Sequence, residues 1–391
     1  MDQAGFIRAR ADGSWNAYRQ MKGATLGKRQ ILTVSRRRAV GLIAAGVAGP
    51  FINRAAGTQS ALPEQTKIPD ILKGSGDVRV ANYGGASHEA QLKAWFEPFE
   101  KATGIKVHAF PTADTAKTKA MVDTGNLEWD LVNLGRGDIL KLMKTGDYFE
   151  KIDSSLIDDG VGDFCFDYGV ELNTFAQVLG YRTDAFKGAA PTSWADFWDT
   201  KRFPGDRAMF GIGSTSPELE FALMAAGVPA DKLYPLDVDK AFASFDTIKK
   251  SVIKWWTTGA QPPQMLIDRE VTMTTVWNGR MAALQDKGVA ICWNQGLLKG
   301  DAFGIPKGAK NKANAMKLLA YASMPIPQAR FAMLIPYGNT NERANKYIPP
   351  ERLAMLPSAP EIKKQLVLFN QEWWLDNREI VQARFNKWLL S

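Results

Sequence analysis

The chain has 391 residues, 45% of them hydrophobic and 23% charged, with a formal net charge of +8 and a pI near 9.2. Residues 1–56 hold ten Lys/Arg and two Asp/Glu; removing these from totals of 49 and 41 leaves 39 of each in residues 57–391. A body with no basic excess has nothing to hold phosphates with, which argues against nucleic-acid binding, and two histidines (His88 and His108) with no second ligand at helical spacing argue against a zinc site.

Ser35-Arg36-Arg37-Arg38 precedes an uncharged run from Ala39 to Ile52 and then small residues at Ala55-Ala56. As a helix that run rises about 21 Å, too short for a bilayer core but suited to the apolar part of a targeting segment. Pro50 interrupts it, which disfavours a retained anchor. The segment resembles a bacterial twin-arginine export signal, with Ala39 and Gly41 where such signals usually carry phenylalanine and often lysine. Residues 1–56 are therefore expected to be removed, and Met21 offers a second possible start.

Residues 57–76 are polar with scattered Gly and Pro and read as a linker. The 335 residues from 57 onward suffice for two domains sharing an interface. Val78 and Val80 alternate with polar neighbours, which predicts a strand running into the turn Asn82-Tyr83-Gly84-Gly85. Leu92, Trp95, Phe96 and Phe99 then form one helical stripe, bent at Pro98 and ended by Gly104. Ile105, Val107 and Ala109 alternate as the next strand, and strand–helix–strand at this length implies a parallel sheet. Asp130-Leu131-Val132 predicts a short strand ending at Gly135-Arg136-Gly137, where a helix starts. Further expectations are a strand from Val178 to Tyr181 and a helix capped by Ser193. A last helix carries the stripe Ala315, Leu318, Leu319 and Ala322 and is stopped by Pro325 and Pro327. The fold class is α/β. Cys165 and Cys292 are compatible with a disulfide or with two separate buried thiols.

Six pieces in register then resemble one family. These are Tyr83-Gly84-Gly85 with Phe99 to Val107, Asp130-Leu131-Val132, Pro191 to Trp198, Trp277-Asn278-Gly279, Gly304 to Lys312, and Tyr337 to Asn341. Together they resemble the extracellular solute-binding proteins of ABC importers over roughly residues 77–380, nearest to the spermidine/putrescine-binding branch. The resemblance implies a periplasmic-binding-protein type II fold: two α/β lobes joined by crossing strands, with the ligand between them. Lobe 1 is expected over 77–176 plus 302–337 and lobe 2 over 177–301 plus 338–391. Crossings are expected near Asn173 to Leu179, Asp301 to Gly304 and Pro336 to Asn339. It also implies no cofactor, no metal, a membrane permease as partner, a monomer, and a periplasmic location.

An amine cargo needs carboxylates for its charge and aromatic faces for its methylenes. Carried over position by position, Tyr83, Glu218, Trp277, Asp301 and Tyr337 fall where the polyamine binders place such groups, and Trp373 or Trp374 falls near the last contact. Thr215 stands where an acid is expected, Lys299 replaces a tryptophan, and Arg136 lies between two glycines at a strand end. Such a site loses negative and gains positive charge, and arginine clamps carboxylates. The implied ligand is a small amine or amino compound, polyamine-like in class, with one amine and room for a carboxylate rather than a tri-amine. An anion, a sugar or a thiamine-like cation in the same fold is the alternative. A secreted enzyme is the remote one: there is no Gly-x-Ser-x-Gly elbow, and Gly211-Ile212-Gly213-Ser214 lacks the lysine of a phosphate loop.

Overall fold

The alternation of Val78 and Val80 with exposed Arg79 is realised as strand β1 (Asp77–Ala81), whose valines are fully buried. In this computed structural model the described residues are 8–9, 15–16, 61–211, 217–282 and 284–391. The export-signal residues and Thr215 lie outside them. The linker is not wholly detached, since Leu72 in the short turn Asp70–Leu72 is buried.

Helix α1 (Ala86–Gln91) passes through a wide π turn at Leu92–Phe96 into α2 (Glu97–Thr103). Pro98 sits in the first turn of α2, so the expected bend takes the form of that wide turn ahead of a residue with no N–H to donate. Trp95, Phe96 and Phe99 are buried as the stripe requires, and Gly104 (φ 84°) ends the helix in the left-handed region.

Strand β2 (Lys106–Phe110) pairs in parallel with β1, and β1 pairs in parallel with β3 (Leu131–Gly135). Helix α3 (Arg136–Thr145) leaves the end of β3 directly. Strand β4 (Gly169–Arg182) is far longer than the four residues expected from Val178 to Tyr181. It carries Glu171, Asn173 and Gln177 among apolar neighbours, so its length is not marked by a continuous apolar run. After α4 (Trp194–Trp198), where the Ser193 hydroxyl accepts from the Asp196 N–H at 3.4 Å, come β5 (Arg207–Phe210), α5 (Leu219–Ala225), β6 (Val252–Trp256) and β7 (Met273–Trp277). The last long strand is β8 (Val289–Gly304).

The sheet order is β2-β1-β3-β8-β4-β7-β5-β6. β8 is antiparallel to β3 through Asp301–Gly304 and to β4 along most of its length, while β7 pairs only with the far half of β4, residues 177–181. Two long strands thus link a group β2-β1-β3 to a group β7-β5-β6. Each group has its own core. Trp95 stacks on Phe331 at 4.5 Å in one, and Trp194 stacks on Phe221 at 3.7 Å in the other. A third link is Gly338, which exchanges two 2.8 Å backbone hydrogen bonds with Thr174.

Helix α6 (Lys312–Ala322) buries Ala315, Leu318, Leu319 and Ala322. Pro325 and Pro327 do not simply stop it: they open α7 (Pro325–Leu334), because the first helical turn needs no N–H from its proline. The chain closes with α8 (Gln371–Leu390). Cys165 and Cys292 are both free thiols.

Candidate functional site

In an antiparallel pair, residues directly opposite share a face, and every second residue along a strand does so too. Asn173 faces Asp301 and Phe175 faces Lys299 across β4 and β8, so Asn173, Phe175 and Gln177 line one face with Lys299 and Asp301; an irregularity between Asp301 and Ala302 sets Glu171 opposite Ala302, where a β-carbon on Gly300 would meet its carboxylate at 3.0 Å. That polar stripe runs along the strands linking the two cores.

Asp301 accepts a 3.0 Å hydrogen bond from the Asn173 side-chain amide. Burial raises its carboxyl to about 6, and that bond opposes the rise only in part. Glu171 is raised to about 7, first by burial, with Arg136 opposing and Asp301 and Glu372 adding. The Tyr337 phenol is pushed up to about 12 by burial and by Asp301. Tyr83 follows the end of β1 and is 38% exposed as a residue; burial first, then the charges of Asp301 and Asp138, push its phenol up. Three of the expected residues, Tyr83, Asp301 and Tyr337, therefore share one electrostatic environment.

Tyr337 is positioned by backbone and side chain together. Gly338 is tied to Thr174, and the Asn278 side chain accepts from the Ala176 N–H and donates to the Pro336 carbonyl, both at 2.8 Å. The Tyr337 ring lies 5.9 Å from that of Phe175. Trp277, half-buried at the end of β7, meets Trp256 edge-on at 5.6 Å, one residue before Asn278.

Arg136 starts α3 and donates to Glu372 at 3.0 Å and to the Asp163 carbonyl at 3.1 Å, with its guanidinium 4.7 Å from the Phe166 ring centre. The next residue must be small: a β-carbon on Gly137 would meet the Gln371 oxygen at 3.0 Å, and the Gly137 N–H donates to that same oxygen at 2.8 Å. Gln371 also donates to Glu171 at 3.3 Å, so the start of α8 bridges the start of α3 to β4. Arg378, on α8, lies 3.5 Å from Asp138. Among the described residues, Asn173 Oδ1, Arg136 Nε and Arg378 Nε are buried polar atoms without a partner, and all three belong to this group.

A second cluster sits two residues along β8. Lys299 donates to the Gln177 side-chain Oε1 at 2.7 Å and lies 4.4 Å above the Phe369 ring, while the Gln177 side-chain Nε2 donates to Glu218. Glu218 also accepts from the Phe210 N–H at 3.1 Å. Glu220 accepts from Tyr234 and from the indole N–H of Trp374, each at 2.6 Å. Burial pushes both glutamates up and Lys299 down. Trp374 is fully buried, its ring parallel to that of Phe369, and its one polar atom is committed to Glu220.

The sequence-expected residues thus divide. Tyr83, Asp301 and Tyr337 converge, with Arg136 reaching the same carboxylates through Glu171. Glu218 and Lys299 form a neighbouring paired cluster, and Trp374 packs beneath it. Glu171, Asn173, Gln177, Gln371 and Arg378 were not expected, although the period-two spacing of Asn173 and Gln177 would have exposed those two. A groove of about 790 Å³ lies elsewhere, beside Lys67, Glu97, Lys101, Tyr321 and Arg330, and contains none of the stripe residues. Among the described residues no group of three or more potential metal ligands occurs.

Two cores joined by long strands that carry polar groups of both signs define a protein built to enclose a small charged solute between lobes, the type II arrangement of periplasmic binding proteins. The chain belongs to the bacterial extracellular solute-binding proteins, whose family model matches residues 94–361. It is 38% identical to the gamma-aminobutyric acid-binding protein of Pseudomonas aeruginosa, covering 80% of this chain and 91% of that one. It is 27% identical to the spermidine/putrescine-binding periplasmic protein of Escherichia coli, covering 72% and 82%. A crystal structure of an ABC transporter substrate-binding protein from Bradyrhizobium japonicum superposes with a TM-score of 0.75 at 37% identity, covering 80% of this chain and 99% of that one. The protein is the solute-binding component of an ABC importer and works in the periplasm. The expected nearness to polyamine binders holds only at the lower identity; the gamma-aminobutyric acid binder is the more similar of the two relatives.

Proposed function

We propose that the protein captures a short amino compound with one ammonium and one carboxylate, of the γ-aminobutyrate class, and delivers it to a membrane permease. The carrying observation is the convergence of Asp301, Glu171, Tyr83 and Tyr337 beside Arg136 and Arg378. A tri-amine has no use for these two cations, whereas a zwitterion uses both signs. The name of the 38% identical relative supports the same class.

In this reading Asp301 holds the ammonium, Tyr83 and Tyr337 flank its methylenes, and Arg136 and Arg378 face the carboxylate. Glu218, Lys299 and Trp374 shape the floor, and Trp277 adds an aromatic wall. Lobe 1 comprises 77–176 plus 302–337 and lobe 2 comprises 177–301 plus 338–391. The open and closed forms exchange, and the ligand binds both lobes only when closed. The protein acts by capture without chemistry, as a monomer. Residues 1–56 direct export by the twin-arginine route; a variant with Arg36→Lys and Arg37→Lys should then stay in the cytoplasm on fractionation.

The test is calorimetry of the refolded protein against γ-aminobutyrate, putrescine, spermidine, phosphonates and sugars. Micromolar binding of γ-aminobutyrate, about −8 kcal/mol, is expected, and Asp301→Asn should weaken it about 100-fold, roughly 3 kcal/mol. Binding of polyamines alone would reverse the assignment of the cations. Binding of phosphonates that survives Asp301→Asn would make the site an anion site.

A further inference from the structure

Helix α8 has two faces. Trp374, Val381 and Phe385 bury it in the core of the β7-β5-β6 group, which fixes its position there. The opposite face carries Glu372, Asp376, Arg378 and Glu379 toward α3. Helix α3 is built the same way on the other side: Ile139 and Leu142 are buried in the core beneath β3, and Arg136, Asp138, Lys141 and Lys144 face α8.

Four ion pairs connect these faces. Arg136–Glu372 spans 3.0 Å, Lys141–Glu379 2.7 Å and Arg378–Asp138 3.5 Å, and Lys144 pairs with Asp376. Three cations of α3 meet three anions of α8, and the one reversed pair is matched as well. No like charges are opposed within the set. Lys141 and Glu379 are 50% and 81% exposed, so that pair makes no contribution to either core and is open to screening by salt. The Gly137–Gln371 hydrogen bond lies at the inner end of the same seam, next to the polar stripe.

We propose that α3 and α8 form an electrostatic latch that holds the two lobes closed over the ligand. The proposal rests on the reading that the lobes open and close, and it is independent of which solute is bound. Each exposed pair contributes little alone, but all four form together on closure and none can form when the lobes part. The latch biases the equilibrium toward the closed form before ligand arrives, which raises apparent affinity by enlarging the competent population. It also makes the affinity for a zwitterion of zero net charge depend on ionic strength, which direct ligand contacts alone would not require.

The test uses spin labels at Glu97→Cys and Lys240→Cys, one on each lobe, in the full chain with Cys165 and Cys292 replaced by serine. Pulsed electron resonance reads the distance between them without added ligand. Raising salt from about 0.01 M to about 1 M shortens the Debye length from ~30 Å to ~3 Å. The longer-distance population should grow with salt, and should grow at low salt in Glu379→Lys or Lys141→Glu alone. The double variant Lys141→Glu/Glu379→Lys should return to the wild-type distribution, and Lys144→Glu/Asp376→Lys should behave likewise. In parallel, γ-aminobutyrate affinity should weaken roughly 3- to 10-fold in each single variant and recover in the double. Distances unchanged by salt and by Glu379→Lys would overturn the latch, as would double variants that remain as open as the singles. Because the distances are read without ligand, a failure of the cargo assignment leaves this result intact.

Discussion

Lys299 and Asp301 stand two residues apart on the same face of one strand, and their surroundings differ. Lys299 is enclosed by its own partners: the Gln177 side-chain oxygen accepts its hydrogen bond, Glu218 and Glu220 surround it, and Phe369 covers it. Among the described residues the Asp301 carboxylate has one hydrogen bond, from Asn173, whose own oxygen is left without a partner there. The lesson concerns charge in a low-dielectric setting. A buried charge that the fold itself neutralises organises structure, whereas one that the fold leaves short of partners is available to a solute.

The comparison is broken first at the self-paired end. Glu220→Ala removes the acceptor of both the Tyr234 hydroxyl and the Trp374 indole, leaving two buried donors unpaired. It should destabilise the protein by about 3 kcal/mol in urea unfolding. Asp301→Asn, by contrast, should leave stability unchanged or higher. A Glu220→Ala variant as stable as wild type would mean that this cluster is no more structural than Asp301.

Acid titration sharpens the contrast further. Asp301 and Glu171 have folded pKa values raised to about 6 and about 7, above their unfolded values. The folded state therefore binds more protons than the unfolded state between about pH 4 and 7, and stability falls as pH rises through that window. Ligand affinity runs the other way, since an ammonium needs the carboxylates ionised, and should drop as pH falls below about 6. Calorimetry across this range checks both signs; affinity that is flat with pH would remove Asp301 from the ammonium site. Smaller again is Tyr337→Phe, which keeps the ring and loses the hydroxyl beside Asp301, and should cost about 1 kcal/mol of binding. A loss of protein stability instead would place Tyr337 with the packing residues.

Much of this architecture was legible in the sequence. Val78 and Val80, the stripe ending at Phe99 and Gly104, and the β3–α3 junction at Gly135 announced a parallel sheet with helices, because period two and period 3.6 are local properties. Asp301, Tyr83 and Tyr337 were reached through family motifs rather than through periodicity. What stayed hidden was non-local. Strand β4 looked short because Glu171, Asn173 and Gln177 interrupt its apolar residues, and the irregularity beside Asp301 that turns Glu171 to the other face has no sequence signal. Arg378 and Gln371 lie more than 200 residues from the α3 segment they meet, so no spacing rule connects them. Trp374 comes from its place in the family pattern, whereas its complete burial against Phe369 and its hydrogen bond to Glu220 follow from packing that no local spacing announces.

The most direct measurement is a crystal structure of the protein grown with γ-aminobutyrate. The account predicts the ammonium within about 2.9 Å of the Asp301 carboxylate, the carboxylate turned toward Arg136 and Arg378, and the Lys299–Gln177–Glu218 chain unchanged. An ammonium seated on Glu218 or Glu220, with Asp301 still bonded only to Asn173, would contradict it.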